Sequence, residues 1–341
     1  MKRSTLFQTL QTPVLLTLLL AALCVLVAGL GSADMQRTLT ETLIRVVIVV
    51  GLYVFIGNSG LMSFGHVAFM CVGAYAAAWL TVAPAMKAYT LTGLPEWLLQ
   101  NTVGHVPATL AGAALAAALA LLSGLVLMRL SGIAVSIATF ALLAVVNVVY
   151  ANWESVTGGT SSVVGIPTHV NLWVALAWAV LALLLAQLYS QSRWGLQLRA
   201  LREDSVAARA CGVNLYAMAL LAFVISAAIV GAGGALEAQF LGVVNPDAFY
   251  LNQTFLFIAM LVVGGSASLT GAVVGVLGLS LLVELLLRLE QGVALGTAVL
   301  KLPSGSQEIV LGVVMIVMLL LKPRGLMGST EWQLKKPAAA L

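Results

Sequence analysis

Long unbroken runs of leucine, alanine and valine recur along this chain, and nothing constrains its fold more. A helix needs about 20 mostly apolar residues to cross a bilayer. Of the 341 residues, 61% are hydrophobic and only 8% are charged. A soluble domain carries about 25% charged residues. So few charges cannot coat a water-facing surface around a core of this size. The composition excludes a pair of soluble domains, a disordered chain, a coiled coil and a disulfide scaffold. An outer-membrane barrel would alternate polar and apolar residues in short strands, and the runs here do not. The expected fold class is an all-α membrane protein, one polytopic bundle over residues 1–341.

Ten spans are expected: Val14 to Gly31, Leu43 to Gly57, Phe64 to Ala83, Gly104 to Met128, Gly132 to Tyr150, Asn171 to Leu188, Ala217 to Leu236, Phe249 to Gly264, Leu269 to Leu287 and Glu308 to Leu321. The second, eighth and tenth are the short ones. The basic residues test the count, because Lys and Arg concentrate on the cytoplasmic side. With the N-terminus inside, Lys2, Arg3, Arg129, Arg193, Arg199, Arg202, Arg209, Lys322, Arg324, Lys335 and Lys336 are cytoplasmic. Arg37, Lys87, Arg288 and Lys301 lie outside, and Arg45 falls within a span. A count off by one would destroy this asymmetry, so both termini are expected in the cytoplasm. The first apolar run is longer than the 7–15 residues of a signal-peptide core, so it reads as a retained span. Ten spans divide into two fives, and an odd number would invert one half relative to the other. The net charge of +4 is spread between spans rather than gathered in a patch, which argues against nucleic acid. Cys24, Cys71 and Cys211 lack metal-ligand spacing and read as free thiols.

Four segments could carry chemistry. The cytoplasmic segment 189–216 contains a helical pattern from Leu196 to Cys211, with Leu196, Leu198, Leu201, Val206 and Ala210 as its apolar members and Gly212 as its stop. Such a helix could lie on lipid headgroups or dock into a groove on a partner protein; Glu203 and Asp204 favour docking. The run Gly57-Asn58-Ser59-Gly60, continuing through Ser63 to His66, breaks the backbone between spans two and three. It reads either as a tight inner turn or as a gate, since bared backbone at membrane depth survives only when buried or lining a cavity. The outer segment from Trp153 to Thr160, with Gly165-Ile166-Pro167, is either a plain connection or an outer gate. The fourth segment runs Gly242 to Asp247 and then Gly264-Gly265-Ser266-Ala267-Ser268-Leu269-Thr270-Gly271; close helix packing and an opened backbone both fit it. Arg45 follows Glu41, and Arg288 follows Glu284, at the four-residue spacing of a helical ion pair.

Absences narrow the function. No lysine follows a glycine, so no Walker A loop exists and the chain does not bind ATP by that route. No nucleophile elbow, metal motif or chain of intramembrane acids is present. A membrane enzyme is therefore not expected. A transporter without coupling groups of its own draws its energy from a partner.

These segments together resemble the LivM-type permeases of branched-chain amino-acid ABC importers, from about Leu43 to Gly325. The resemblance rests on Gly60-Leu61-Met62-Ser63-Phe64-Gly65-His66 with Gly73-Ala74-Tyr75, and on Asn152 to Gly159 with Gly165-Ile166-Pro167. It continues through Arg199-Ala200-Leu201-Arg202-Glu203-Asp204, Ala207-Ala208 and Gly212-Val213-Asn214 to Ala222–Ala227, Asn245-Pro246, Gly264-Gly265 and Gly271. It implies that Arg199, Arg202, Glu203, Asp204, Ala207, Ala208 and Gly212 form a loop coupled to a cytoplasmic ATPase. Importer permeases generally carry Glu-Ala-Ala-x-x-x-Gly there; this chain has Val206 in place of the glutamate. The resemblance further implies cytoplasmic ATP-binding subunits, a second homologous permease of the LivH type and a periplasmic solute-binding protein. No cofactor is expected on the chain itself, and the location implied is the bacterial inner membrane. Ser59, Ser63, His66, Ser266 and Thr270 are the candidates for the translocation pathway or gate. An importer of urea or short amides and an ion-gradient-driven carrier stand as alternatives. Residues 329–341 are expected to form a disordered tail.

Overall fold

The computed structural model describes residues 3–295, 298–300, 303, 305–322, 324–328 and 330–332. Helices α1 (Arg3–Leu30), α2 (Ala33–Ser59) and α3 (His66–Thr81) precede the short helices α4 (Pro84–Thr90) and α5 (Glu96–Gln100). Next come α6 (His105–Leu127), α7 (Ile133–Asn152), the single turn α8 (Glu154–Thr157) and α9 (Leu172–Gln191). Helices α10 (Arg193–Glu203) and α11 (Ser205–Ala210) lead to α12 (Leu215–Leu241), α13 (Leu251–Gly264), α14 (Leu269–Gln291) and α15 (Ser306–Leu321). Among the described residues, eight helices are long and apolar enough to cross a membrane, and α3 and α15 are shorter apolar helices. The chain is an all-α polytopic membrane protein.

Several span lengths differ from expectation. The second span, expected to be short, is one of the three longest helices among the described residues, at 27 residues. The polar residues near its start do not break it, because the helix satisfies them itself. Thr40 and Thr42 donate to the carbonyls of Gln36 and Thr38, and Arg45 pairs with Glu41 one turn back. The third span shrinks to 16 residues because the glycines and serines before His66 stay non-helical. The pair Glu284–Arg288 forms at 2.7 Å.

The core is built on α12. It packs against α2, α3 and α6, while α13 and α14 form a hairpin against α2. The contacts are close because the seams are small. A Cβ on Gly73 would lie 2.0 Å from the Gly231 carbonyl oxygen, and one on Gly231 would lie 2.3 Å from Cβ of Ala116. Lipid tails are as apolar as leucine, so such backbone approach supplies the packing that hydrophobicity alone cannot. Ser226 adds an interhelical hydrogen bond to the Gly51 carbonyl at 2.6 Å. Helix α2 is buried along most of its length, whereas α6 and α7 expose Leu122, Val126, Ile133 and Ile137 on the perimeter, facing lipid.

The segment after α7 is ordered by polar contacts. Trp79 donates to the Val156 carbonyl, and Asn245 donates to the Thr160 carbonyl and to the Ser162 hydroxyl. Strands β1 (Val163–Val164) and β2 (Val243–Val244) pair antiparallel, with Val163 opposite Val244. A second antiparallel ribbon pairs β3 (Val293–Leu295) with β4 (Ala298–Leu300). Cys24 and Cys71 are buried, Cys211 is exposed, and all three are free.

Candidate functional site

The amphipathic segment forms two helices rather than the continuous helix expected from Leu196 to Cys211. The break is at Asp204. Its carboxylate accepts from the amides of Val206 (2.9 Å) and Ala207 (3.0 Å), so its backbone turns extended and starts α11 afresh. Ser192 caps α10 in the same manner through Gly195. At the far end Gly212 takes a positive φ of 82°. Its amide bonds the Arg209 carbonyl and that of Val213 bonds Ala208, the two bonds of a Schellman stop.

The residues of this loop divide by direction. Leu198, Leu201 and Ala208 are buried against the bundle. Arg199 and Arg202 also point inward, each to a helix end. Arg199 donates to the Ser190 carbonyl in the last turn of α9, and Arg202 Nη1 donates to the Gly57 carbonyl near the end of α2 at 2.6 Å. The last carbonyls of a helix have no partner within it and carry the negative end of its dipole, so a guanidinium there is favourable. The Arg202 stem lies against Gly60, where a Cβ would meet its Cγ at 2.7 Å. Glu203, Asp204, Val206, Ala207 and Gly212 face outward. Glu203 is held by Arg202 at 2.7 Å. Val206, at the position of the expected glutamate, is 78% exposed.

The two glycine-serine breaks meet beneath this loop. A Cβ on Gly57 would lie 2.6 Å from the Ser266 carbonyl oxygen. The first break, after α2, is braced by α7: Ser136 donates to the Met62 carbonyl (2.7 Å), and Thr139 accepts from the Phe64 amide (3.3 Å). The second break, between α13 and α14, is braced by residues 324–328 and 330–332. The amides of Leu326 and Met327 bond the carbonyls of Val263 and Gly264. Glu331 caps α14, accepting from the amides of Leu269 (2.7 Å) and Thr270 (3.1 Å) and from the Thr270 hydroxyl (2.7 Å). The described residues 330–332 of the expected tail are thus bonded to the bundle, and 333–341 lie outside the described residues.

The pathway candidates fall into two groups at this face. Ser59 is buried, donating to the Phe55 carbonyl and accepting from the Leu61 amide. Ser63 lies 2.8 Å from His66 Nδ1. The His66 ring sits among Phe55, Phe69 and Phe223, with centroids 5.4 to 5.8 Å away, and its Nε2 has no hydrogen-bond partner among the described residues. That is a packed, hydrogen-bonded histidine. Ser266 lies beside Gly57, and Thr270 is occupied by Glu331 and by the Trp332 amide. Sequence reasoning missed Ser136, Thr139 and Glu331. The first two left a signal, polar residues three apart in an otherwise apolar helix; Glu331 left none. Among the described residues no cluster of His, Cys, Asp or Glu could hold a metal ion.

A family model described as "Branched-chain amino acid transport system / permease component" matches residues 35–319. The chain is 28% identical to the high-affinity branched-chain amino acid transport system permease protein LivM of Salmonella typhimurium, over 89% of this chain and 72% of that protein. It is 27% identical, with the same coverage, to LivM of Escherichia coli K12. It is also 34% identical to the permease protein LivH of Salmonella typhimurium over 160 residues, 47% of each chain. No solved structure matches it.

Proposed function

The chain belongs to the branched-chain amino-acid transport permease family, and from that membership we propose that it is one permease subunit of an ATP-binding-cassette importer. It carries branched-chain amino acids from periplasm to cytoplasm across the bacterial inner membrane, with both termini cytoplasmic. Cytoplasmic ATPase subunits supply the energy, a second permease of the LivH type completes the pathway, and a periplasmic binding protein delivers the solute. The observation that carries this reading is the α10–α11 loop, whose two arginines clasp the ends of α9 and α2 while its outer face is left uncovered.

The mechanism follows from that division. Val206, Ala207, Glu203 and Asp204 contact the ATPase, with Val206 as an apolar knob in its groove. Arg199 and Arg202 pass the movement of the loop to α9 and α2. Because α2 abuts the α13–α14 break through Gly57 and Ser266, a shift of α2 opens or closes the inner face. Ser59, Ser63, His66, Ser266 and Thr270 are the proposed gate. A neutral zwitterion suits a path with few fixed charges, and bared amides at broken helices can hold its carboxylate.

The test is reconstitution of the chain with its ATPases and second permease, measuring leucine uptake with and without ATP and binding protein. Uptake that needs both is the expected result. ATP-driven uptake of urea or a short amide but not leucine would change the substrate. Gradient-driven uptake by this chain alone would overturn the importer reading.

A further inference from the structure

Where α6 ends and α12 begins lies a cavity of about 730 Å³. The α6–α7 turn walls one side, and the end of α11 with the start of α12 walls the other. Helices α6 and α12 are both long and apolar enough to cross a membrane. The cavity therefore sits at the boundary of the bilayer, on the face that carries the α10–α11 loop. Its two walls are tied together. The Tyr216 hydroxyl donates to the Leu125 carbonyl at 3.2 Å, and a Cβ on Gly124 would lie 2.7 Å from Cδ1 of Leu220.

The charge in this wall is all positive. Arg129 comes from the α6–α7 turn and Arg209 from the last turn of α11, and no acid lines the cavity beside them. Neither guanidinium has an ion pair, hydrogen bond or ring contact among the described residues. The other arginines of the loop set the contrast. Arg193 lies over the Trp194 ring, and Arg199 and Arg202 are bound to carbonyls. A cleft lined by one sign of charge concentrates the opposite ion. Arg129 and Arg209 are exposed, as groups that meet a lipid headgroup must be, because the phosphates of a bilayer lie at its boundary.

The backbone adds to the charge. At the start of α12, Asn214 takes the Ala217 amide on its side chain and the Met218 amide on its carbonyl. The amides of Leu215 and Tyr216, both in the wall, have no acceptor among the described residues. The positive end of a 27-residue helix thus opens beside the two guanidiniums. Guanidinium forks and free amides are the donors that a phosphate accepts. What adjoins the cavity decides where that phosphate comes from. Leu130 is in the wall, Val126 and Ile133 flank it in sequence, and all three are exposed. They offer an acyl chain an apolar track, for which a free phosphate has no use.

We propose that this cavity binds the phosphate of an anionic phospholipid from the adjoining leaflet. Arg129 and Arg209 hold the phosphate between them, and the Leu215 and Tyr216 amides and the Ser131 hydroxyl complete its shell. One acyl chain lies along Val126, Leu130 and Ile133. The bound headgroup bridges the end of α11 to the α6–α7 turn. Basic pockets between membrane helices hold anionic headgroups by the same chemistry.

Native mass spectrometry of the full chain tests this. The chain is released from micelles doped equally with phosphatidylglycerol and phosphatidylcholine of the same acyl chains, and the retained lipid is counted. The parent should prefer phosphatidylglycerol roughly tenfold or more, because the choline cation already accompanies the phosphate of the other lipid. Arg129→Gln with Arg209→Gln should abolish the preference. Ser131→Glu should do the same while keeping both arginines, since it supplies the missing carboxylate from an exposed position. Arg193→Gln with Lys322→Gln removes as much charge from exposed positions outside the cavity and should leave the preference intact. Size-exclusion chromatography confirms that each variant is folded. Equal retention of both lipids by the parent would overturn the site. So would a preference that falls as far with the outside pair as with the cavity pair, or one that survives Ser131→Glu. Displacement of phosphatidylglycerol by equimolar inorganic phosphate would overturn the lipid as the source.

Discussion

A methyl group added at Gly234 would come to rest 2.0 Å from the Met70 carbonyl oxygen, a backbone atom that cannot swing aside. Gly278, on α14, has nothing within 4 Å of the same added group. The pair makes a controlled comparison. Gly234→Ala should cost at least the roughly 1–3 kcal/mol of core overpacking, seen as a lower melting temperature of the purified protein in detergent. Gly278→Ala should be neutral or stabilising, since glycine costs a helix interior roughly 0.5–1 kcal/mol relative to alanine. A second residue, Lys87, is fully buried in α4, outside the spans, with its ammonium donating to the carbonyls of Leu98 and Asn101 at 2.8 Å each. Burial pushes this ammonium below the usual lysine range. The unfolded chain therefore binds more protons in the window between the lowered value and the ordinary 10.5, so stability rises with pH across that window. Thermal melts of the parent from neutral to alkaline pH should show the rise, and Lys87→Met should flatten it.

At the scale of elements, α10 and α11 stand apart because one aspartate caps the second of them. Removing an N-cap costs about 1 kcal/mol, so Asp204→Ala should loosen α11 while α10 stays in place. Hydrogen–deuterium exchange reads this directly: the amides of Val206 and Ala207, which the carboxylate holds, should exchange faster, with Leu198 and Leu201 unchanged. The loop also measures how much of the molecule was legible in its sequence. Among the described residues the apolar runs located the eight helices long enough to span, and α3 and α15, expected as spans, came out shorter; a span announces itself in consecutive residues. The amphipathic pattern and Gly212 located the loop and its end. The break at Asp204 was written locally too, as an aspartate followed by a serine, but the helical pattern on either side outweighed it. The inward turn of Arg202 was not legible at all, because its partner Gly57 is 145 positions away. The expected second span began only at Leu43, where the continuous apolar run starts, while α2 begins at Ala33 and carries its polar first turns on side-chain bonds to its own backbone and on the Glu41–Arg45 pair.

At the scale of the whole molecule, the arginine clasps are the joints between a peripheral loop and the bundle. Arg202→Ala removes a charge-assisted bond of about 1.5–3 kcal/mol and leaves the Gly57 carbonyl without it. In the reconstituted importer the expected result is uncoupling: ATP hydrolysis persists while leucine uptake falls roughly tenfold or more. Arg202→Lys should recover part of the loss, because an ammonium can reach one carbonyl but cannot also hold Glu203 in the planar fork. Uptake and hydrolysis falling in proportion would instead assign Arg202 to assembly.

The brace on the α13–α14 break also imposes an order in time. Glu331 follows Leu269, whose amide it caps, by 62 residues, and the carbonyl of Trp332 bonds Thr12, 320 positions earlier in α1. A chain is made and inserted from its N-terminus, so α1 and the α13–α14 hairpin reach the bilayer before the residues that fasten them exist. Until then the amides of Leu269 and Thr270 at the start of α14 lack the carboxylate that caps them. The fastening of this break is therefore a later event of synthesis than its making, a clasp closed on α1 and α14 by residues that follow both.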